Sequence, residues 1–178
     1  ERGGAVNLHA SGVLVNNSEF TGNDAHDGGA MYVSGRGVTN YVLNSQFSDN
    51  NANGGKGGAI EWVASQGHIR FTNFTRNTAD YGGAIFFNGE SHNSSVINAI
   101  FKENNATYNG GAIDCNASRM GLFNTTFEEN TAYTGAALCR EINATAGHGK
   151  NNTFIGNYAE YAGAALAWIN ATRISIDD

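Results

Sequence analysis

The sequence lacks proline altogether, contains only 2 cysteines, and has 10 basic residues against 16 acidic ones. Because there is no proline, every residue has a backbone N–H that can donate a hydrogen bond to a neighbouring β-strand. The formal charge of −6 argues against nucleic acids and anionic membrane surfaces as partners. No apolar run is long enough to span a bilayer, and no sustained 3.6-residue apolar period predicts helices.

The chain is built from a sequence repeat. The pattern Phe-x-x-Asn-x-Ala occurs six times, with its phenylalanines 26 or 27 residues apart. A Gly-Gly-Ala element follows the first four copies, Gly-Ala-Ala follows the last two, and another Gly-Gly-Ala stands at residues 3–5. A fixed period of this length is typical of solenoids, propellers and arrays. The repeated pairs are Phe20 and Asn23, Phe47 and Asn50, Phe74 and Asn77, Phe101 and Asn104, Phe127 and Asn130, and Phe154 and Asn157.

Two short apolar alternations in each repeat predict strands. One follows the Gly-Ala element, as in Ile85, Phe86 and Phe87, where the first and third side chains are expected inside and the middle one outside. The other ends at the repeated Phe. A propeller blade needs about four strands in roughly 40 residues, more than this period holds. The repeat therefore predicts an all-β protein, a parallel β-helix of about 6–7 coils with ~27 residues each.

Stacking the coils in register predicts ladders of like side chains, with neighbouring strands about 4.8 Å apart. The repeated Phe residues are then a core ladder, and the repeated Asn residues a ladder of amides that bond from coil to coil. The asparagines three residues before each Phe are expected to form a second, inward-facing ladder, which Phe71 interrupts. The members of this second row are Asn17, Asn44, Asn98, Asn124 and Asn151.

The Phe-x-x-Asn and Gly-Gly-Ala-(Ile/Leu/Val) elements resemble the repeat of the polymorphic outer-membrane proteins of chlamydiae, and similar repeats occur in adhesin-like surface proteins of methanogens. The resemblance covers nearly the whole chain. It implies a right-handed β-helix that serves as an adhesive or structural surface. The two Gly-Ala-Ala variants and the many glycosylation sequons depart from the family pattern.

We expect residues 1–178 to form one solenoid, either an excerpt of a longer array or the protomer of a filament. A solenoid without end caps exposes strand edges, which favour flanking repeats or a head-to-tail homopolymer. The predicted function is that of a non-catalytic, extracellular or cell-surface structural glycoprotein, with no cofactor, metal, nucleic acid or membrane insertion. The alternatives are an adhesin segment that binds a cell-surface or glycan ligand, and a carbohydrate-active β-helix enzyme.

Nine Asn-x-Ser/Thr sequons favour export and N-glycosylation. Asn124 and Asn151 are expected to stay bare, because both belong to the predicted inner ladder. Four sequons fall in the loop after the Gly-Ala strand of successive coils and predict a stripe of glycans along one edge. The predicted glycan sites are Asn93, Asn116, Asn143 and Asn170 on this stripe, and Asn16, Asn73 and Asn105 elsewhere. The alternative is that Asn- and Thr-rich coils create sequons as a by-product of ladders and turns.

The two cysteines, Cys115 and Cys139, lie in consecutive coils, which brings them within disulfide range. Their registers differ by one residue, so a local bulge is needed to aim both side chains at each other. We predict a disulfide, which export favours, and keep two thiols as the alternative.

Carboxylates and tyrosines form two further rows. Asp49, Glu103 and Glu129 share the position before the ladder Asn, and a solvated acidic edge is favoured there over a calcium site or a glycosidase pair. The tyrosines precede the Gly elements at one corner, where stacked rings bind sugars or a neighbouring molecule, or else cover the coil. These tyrosines are Tyr81, Tyr108, Tyr133 and Tyr161.

Overall fold

The computed structural model describes residues 1–9, 12–35, 39–63, 66–88, 93–116, 119–141, 147–169 and 174–177. In these ranges it has 26 short strands and no helix, hence no helix long and apolar enough to cross a membrane. The strands pair in parallel, and strands four apart in sequence are neighbours in space. This is a parallel β-solenoid, and it confirms the predicted fold class.

The strands form four sheets. Sheet 1 contains β1 (Val6–His9), β5 (Met31–Ser34), β9 (Ile60–Val63), β13 (Ile85–Phe87), β17 (Ile113–Cys115), β21 (Leu138–Arg140) and β25 (Leu166–Trp168). Sheet 2 contains β2 (Leu14–Asn16), β6 (Thr39–Leu43), β10 (Gln66–Arg70), β14 (Ser94–Ile97), β18 (Met120–Phe123), β22 (Gly147–Lys150) and β26 (Ile174–Asp177). Sheet 3 contains β3 (Glu19–Thr21), β7 (Gln46–Ser48), β11 (Asn73–Thr75), β15 (Ile100–Lys102), β19 (Thr126–Glu128) and β23 (Thr153–Ile155). Sheet 4 contains β4 (Asp24–Ala25), β8 (Asn51–Lys56), β12 (Thr78–Tyr81), β16 (Asn105–Asn109), β20 (Thr131–Thr134) and β24 (Tyr158–Ala162).

The period of one turn is about 27 residues. Phe47 pairs with Phe74, and Phe74 pairs with Phe101. Sheets 1 and 2 have 7 strands each and sheets 3 and 4 have 6, and the outermost strands are edges. About 5 turns are therefore stacked on both sides, slightly fewer than the expected number of coils. The right-handed sense of the solenoid stays a prediction.

Each turn bends at three corners where the backbone is left-handed. The first corner is the leading Gly of the Gly-Ala element, with φ of 58–65°. A Cβ on Gly82, for example, would lie 2.2 Å from the carbonyl oxygen of Ile85, so only glycine fits. The second corner lies three residues before the repeated Phe, with φ of 48–55°, and the third lies two residues after it, with φ of 52–64°.

The second corner corrects the prediction of an inward-facing Asn row. Asn124 and Asn151 are exposed, with φ of 48° and 55°. Asn suits this row because its short polar side chain tolerates the left-handed conformation better than other non-glycine residues. Phe71 occupies the same corner with φ 52° and is 58% exposed. Both sequon asparagines are therefore accessible to solvent.

The repeated phenylalanines form the predicted core ladder. Successive ring centroids are 4.7–5.3 Å apart and the ring planes differ by 4–12°. The inner rings are fully buried, whereas Phe20 and Phe154 are half-buried. Stacked parallel rings with this spacing bury a large apolar area in every turn.

The repeated asparagines form the predicted amide ladder inside the solenoid. From Asn23 to Asn157, each Nδ2 donates to the Oδ1 of the next at 2.8–3.0 Å. From Asn50 onward, each Nδ2 also donates to the carbonyl oxygen of the Phe in the preceding turn, at 2.9–3.0 Å. Each Oδ1 from Asn50 onward also accepts the backbone N–H of the preceding ladder Asn. These buried amides are thus satisfied from turn to turn.

In one turn a glycine replaces an aliphatic core residue, and a buried arginine from the same turn fills the space. Gly149 takes the place of an aliphatic residue and pairs with Leu122. The same turn contributes Arg140 to the core, only 6% exposed, and its Nη2 donates to the Met120 carbonyl oxygen at 2.7 Å. Burial lowers the pKa of Arg140. A long side chain on sheet 1 thereby reaches across to sheet 2, where glycine leaves room.

Candidate functional site

The acidic row predicted near the ladder Asn lies at the third corner and carries ion pairs. Asp49 accepts two hydrogen bonds of 2.8 Å from the Arg76 guanidinium. This hydrogen bonding holds the pKa of the Asp49 carboxyl below its ordinary value. Asp49 and Arg76 are 44% and 53% exposed, so water screens their attraction.

The next part of this row is organised around a lysine. Lys102 Nζ lies 2.8 Å from the Glu128 carboxylate, 3.7 Å from Glu103 and 3.9 Å from Glu129. The hydrogen bond to Glu128 is the main reason that the pKa of Lys102 is raised. A carboxylate pair poised for acid–base chemistry requires environments that separate the two pKa values. Here the Lys102 ammonium group is shared among three carboxylates that water reaches, an arrangement typical of a solvated acidic edge.

The middle residues of the sheet 1 strands form a row that points away from the core but is nevertheless buried. We call it the covered row, and the sequence pattern predicted it to be solvent-facing. The ends of the sheet 4 strands lie over it, as shown by Lys56 Nζ at 4.7 Å from the centroid of the Phe86 ring. The covered row consists of Tyr32 (5% exposed), Glu61 (4%), Phe86 (2%), Asp114 (0%) and Cys139 (0%).

Glu61 is an acid of the covered row that is held partly protonated near neutral pH. Its Oε2 is buried and accepts no hydrogen bond from the residues that the structure describes. Burial, followed by the Asp27 carboxylate, raises the pKa of Glu61 to about 7, with Lys56 and Arg2 opposing the shift. A buried carboxyl that lacks partners avoids ionisation in this way.

Asp114 is the second acid of the covered row. Neither carboxylate oxygen accepts a hydrogen bond of ordinary geometry from the described part of the chain, although the backbone N–H of Cys115 is close enough to favour the charged form slightly. Burial, followed by the nearby Glu141 carboxylate, raises the pKa of Asp114 well above its ordinary value. Burial therefore favours the protonated form of Asp114.

Glu141 bridges two asparagines beside Asp114. Its Oε1 accepts a 2.6 Å hydrogen bond from Asn109 Nδ2, and its Oε2 accepts one of 3.0 Å from Asn116 Nδ2. The predicted glycan site Asn116 is consequently half-buried, with its amide nitrogen engaged. Sequence patterns missed this cluster because Asn109 ends a sheet 4 strand, whereas Asn116 and Glu141 each directly follow a sheet 1 strand.

The other predicted glycan sites differ in their surroundings. Side chains at four of them are exposed, whereas Asn143 and Asn170 lie outside the described residues. Of the predicted stripe, the structure therefore locates only Asn93 and Asn116, both near the starts or ends of strands. The four exposed sites are Asn16, Asn73, Asn93 and Asn105.

The predicted disulfide is not formed in the structure, which holds Cys115 and Cys139 as buried thiols. Strand register gives the reason. Cys139 pairs with Asp114, and Cys115 pairs with Arg140. The two cysteines therefore occupy adjacent rows that face opposite sides of sheet 1. Burial raises the pKa of the Cys139 thiol, which disfavours the reactive thiolate.

The predicted tyrosine corner lies on sheet 4. The Tyr81 and Tyr108 ring centroids are 5.2 Å apart, and the rings of Tyr133 and Tyr161 stack at 5.4 Å. The exposed fractions of Tyr108, Tyr133 and Tyr161 are 46%, 44% and 74%. Tyr158, on the same sheet, is 64% exposed but lies outside the repeat position that predicted the tyrosine corner. These rings form an aromatic stripe on the surface.

A cleft of about 340 Å³ opens on the outer side of sheet 2. The Phe123 ring leans over Gly121 on β18, because a Cβ on this glycine would lie 2.8 Å from Phe123 Cε2. His148 precedes Gly149, the partner of Leu122, and therefore lies beside Gly121. The lining residues are Asn93, Ser94, Arg119, Met120, Gly121, Phe123 and His148.

None of these surfaces assembles a metal centre. Among the described residues, no group of three or more His, Cys, Asp and Glu side chains could hold a metal ion. The covered row keeps its two acids apart, since Phe86 lies between Glu61 and Asp114 in the strand register. The structure thus offers three surfaces with distinct chemistry, which are the ion-paired corner, the aromatic stripe and the cleft.

Comparison with known proteins adds evidence at the level of the repeat. Residues 98–116 match the family model described as the Chlamydia polymorphic membrane protein (Chlamydia_PMP) repeat. This stretch holds one complete motif, from a second-corner Asn through Phe101 and Asn104 to the strand after Gly110. No curated protein and no solved structure matches the chain. The repeat family consists of surface proteins, and it indicates a surface or adhesin-like β-helix. Residues 98–116 of this parallel β-solenoid are therefore a repeat of the polymorphic membrane protein type.

Proposed function

We propose that this solenoid is a non-catalytic structural and adhesive element of an extracellular surface protein. The observation that carries the proposal is the continuity of the Phe and Asn ladders, in which every turn repeats the contacts of the last. Such stacking gives a stiff body whose length grows with turn number without a thicker core. Its outer faces are then free to present rows of side chains to a partner.

The chemistry of the surface also favours binding over catalysis. The exposed acids of the third corner share Arg76 and Lys102 as counter-ions. The acids Glu61 and Asp114 of the covered row are buried and out of reach of a polymeric substrate. The aromatic stripe and the cleft, by contrast, are open to solvent. These features support an adhesive role, with a polysaccharide-cleaving enzyme as the competing class.

Two measurements test this proposal together. Incubation with a panel of acidic and neutral polysaccharides should release no new reducing ends or unsaturated products, while retention of the protein on one or more of them should be detectable. Cleavage of any polysaccharide, abolished by a single carboxylate substitution, would overturn the non-catalytic assignment.

Head-to-tail polymerisation is the finer structural proposal, and monomers in sedimentation experiments at high concentration would count against it.

We further propose that the protein is N-glycosylated when it passes through a glycosylating secretory pathway. Glycopeptide mass spectrometry should find sugar at the exposed asparagines Asn16, Asn73, Asn93 and Asn105. Because Asn124 is exposed at its corner, it should be as competent as these sites, whereas the half-buried Asn116 should show lower occupancy. Unmodified asparagine at all exposed sequons would refute the glycoprotein assignment.

A further inference from the structure

We infer that the cleft on sheet 2 binds a carboxylated sugar unit. This inference rests on the adhesive role proposed above and gives that role a substrate class. The cleft volume of about 340 Å³ falls near the lower end of the roughly 300–1,000 Å³ usual for ligand sites. It is therefore suited to a short segment of a polysaccharide chain.

The charge of the cleft is opposite to that of the whole protein. The chain has a formal charge of −6, with 16 acidic residues. No acid is among the lining residues, and the two ionisable side chains there, Arg119 and His148, are both basic. Both are exposed and can turn towards a bound group. A planar guanidinium pairs with a carboxylate through two parallel hydrogen bonds, which gives it geometric preference for that group.

The remaining lining supplies the surface that a sugar ring needs. The Phe123 ring leans over Gly121 and gives the cleft an apolar wall. Aromatic faces are electron-rich, so they attract the weakly positive C–H groups on one face of a pyranose ring. The exposed Asn93 adds a polar group at the rim that can bond ring hydroxyls. A free inorganic anion would use Arg119 but would gain nothing from Phe123.

The matched ligands for a test are two tetrasaccharides, one of alternating glucuronate and N-acetylglucosamine and one of N-acetylglucosamine alone. Protein made in a host that does not glycosylate keeps Asn93 bare. Calorimetry should detect binding of the glucuronate tetrasaccharide, and the neutral one should bind at least about tenfold more weakly, since it lacks the charge-assisted pair. Inorganic phosphate should bind more weakly than the glucuronate tetrasaccharide.

Variants locate the site. Arg119→Gln should weaken binding of the glucuronate tetrasaccharide about tenfold, and Phe123→Ala should weaken both tetrasaccharides. The control Arg70→Gln removes the same charge from an exposed position on β10. Arg70 lies in the same row of sheet 2 as Phe123, two strands away, and its replacement should leave binding unchanged. Unfolding midpoints of Arg119→Gln and wild type should agree, which separates lost binding from lost structure.

Three outcomes would overturn the inference. They are equal affinity for the neutral tetrasaccharide, equal affinity for phosphate, and retention of wild-type affinity by Arg119→Gln. If polysaccharide binding persists in Arg119→Gln but is lost when Tyr133 and Tyr161 are replaced, the adhesive role stands and the cleft is not its site. If the wild type binds no saccharide of any kind, both the adhesive role and the cleft assignment fail, while the ladder architecture is unaffected.

Discussion

Replacing Asn77 with alanine should lower the free energy of unfolding by about 4 kcal/mol. Asn77 is fully buried at the centre of the amide ladder. Its Nδ2 donates to Asn104 Oδ1 and to the Phe47 carbonyl oxygen, and its Oδ1 accepts from the side chain and the backbone of Asn50. Alanine removes these bonds and leaves the buried backbone N–H of Asn50 without its acceptor, while Asn104 Oδ1 keeps only the backbone N–H of residue 77. Urea denaturation followed by circular dichroism measures the effect.

The matched control for this variant is the same substitution at the end of the ladder. Asn23 is half-buried, and within the described ranges its side chain donates to Asn50 alone, whose Oδ1 also accepts the Asn23 backbone N–H. Asn23→Ala should therefore cost only about 1 kcal/mol. Similar costs at Asn77 and Asn23, or a cost at Asn77 below about 1 kcal/mol, would contradict a continuous buried ladder.

The Glu61→Gln variant should be more stable than wild type at pH 8 and nearly equal to it at pH 5. Burial raises the pKa of Glu61 from 4.5 to about 7 in the folded protein. The folded state therefore binds a proton that the unfolded state has released, and stability falls as pH rises between these two values. The size of this loss is about 3 kcal/mol. Glutamine cannot ionise, so it removes the loss.

Asp114→Asn should act in the same direction, since burial raises the pKa of Asp114 as well. Asp49→Asn is the control, because its exposed carboxyl has a lowered pKa and titrates below the tested range. Urea titrations at pH 5, 6, 7 and 8 give the slope of stability against pH for each variant. If wild type and Glu61→Gln show parallel slopes, the covered row is not buried as described.

The period and the Phe and amide ladders could be predicted from the sequence for one physical reason, whereas the two strands predicted for each repeat became four sheets. When turns stack in register, the side chains at one repeat position have the same environment in every turn. The same residue type therefore recurs at that position in the sequence. Phe47 stacks between Phe20 and Phe74, and each of them repeats at the same position. The strict recurrence of this row made its burial predictable.

The second Asn row was misjudged because two different physical causes select the same residue. An Asn can be buried in a ladder, or it can sit at a left-handed corner. Phe71 among the asparagines, and Gly22 and Arg76 among the acids, are the signals that could have separated the two. Phe71, Gly22 and Arg76 differ in size and polarity from the other residues of their rows. What they share with those residues is a left-handed backbone, with φ of 52–64° at these three positions.

Burial of the covered row depends on irregularity between turns. The register between β8 and β12 shifts after Ala79, so that Lys56 lies opposite Tyr81. The ends of the sheet 4 strands thereby reach over the outer face of sheet 1. Simple alternation predicts a solvent-facing residue at Glu61 and at Asp114 and carries no sign of this cover. The acids are tolerated because protonation relieves the cost of burying a charge.

The central claim is that like residues of successive turns are immediate neighbours along the solenoid, and ring-to-ring contacts between phenylalanines test it most directly. A nuclear Overhauser spectrum of protein labelled only at phenylalanine should show contacts from Phe20 through Phe47, Phe74, Phe101 and Phe127 to Phe154, in that order, as centroid spacings of 4.7–5.3 Å require. Absence of the contacts between Phe47, Phe74 and Phe101, or contacts that skip a turn, would contradict the stacked architecture and every surface derived from it.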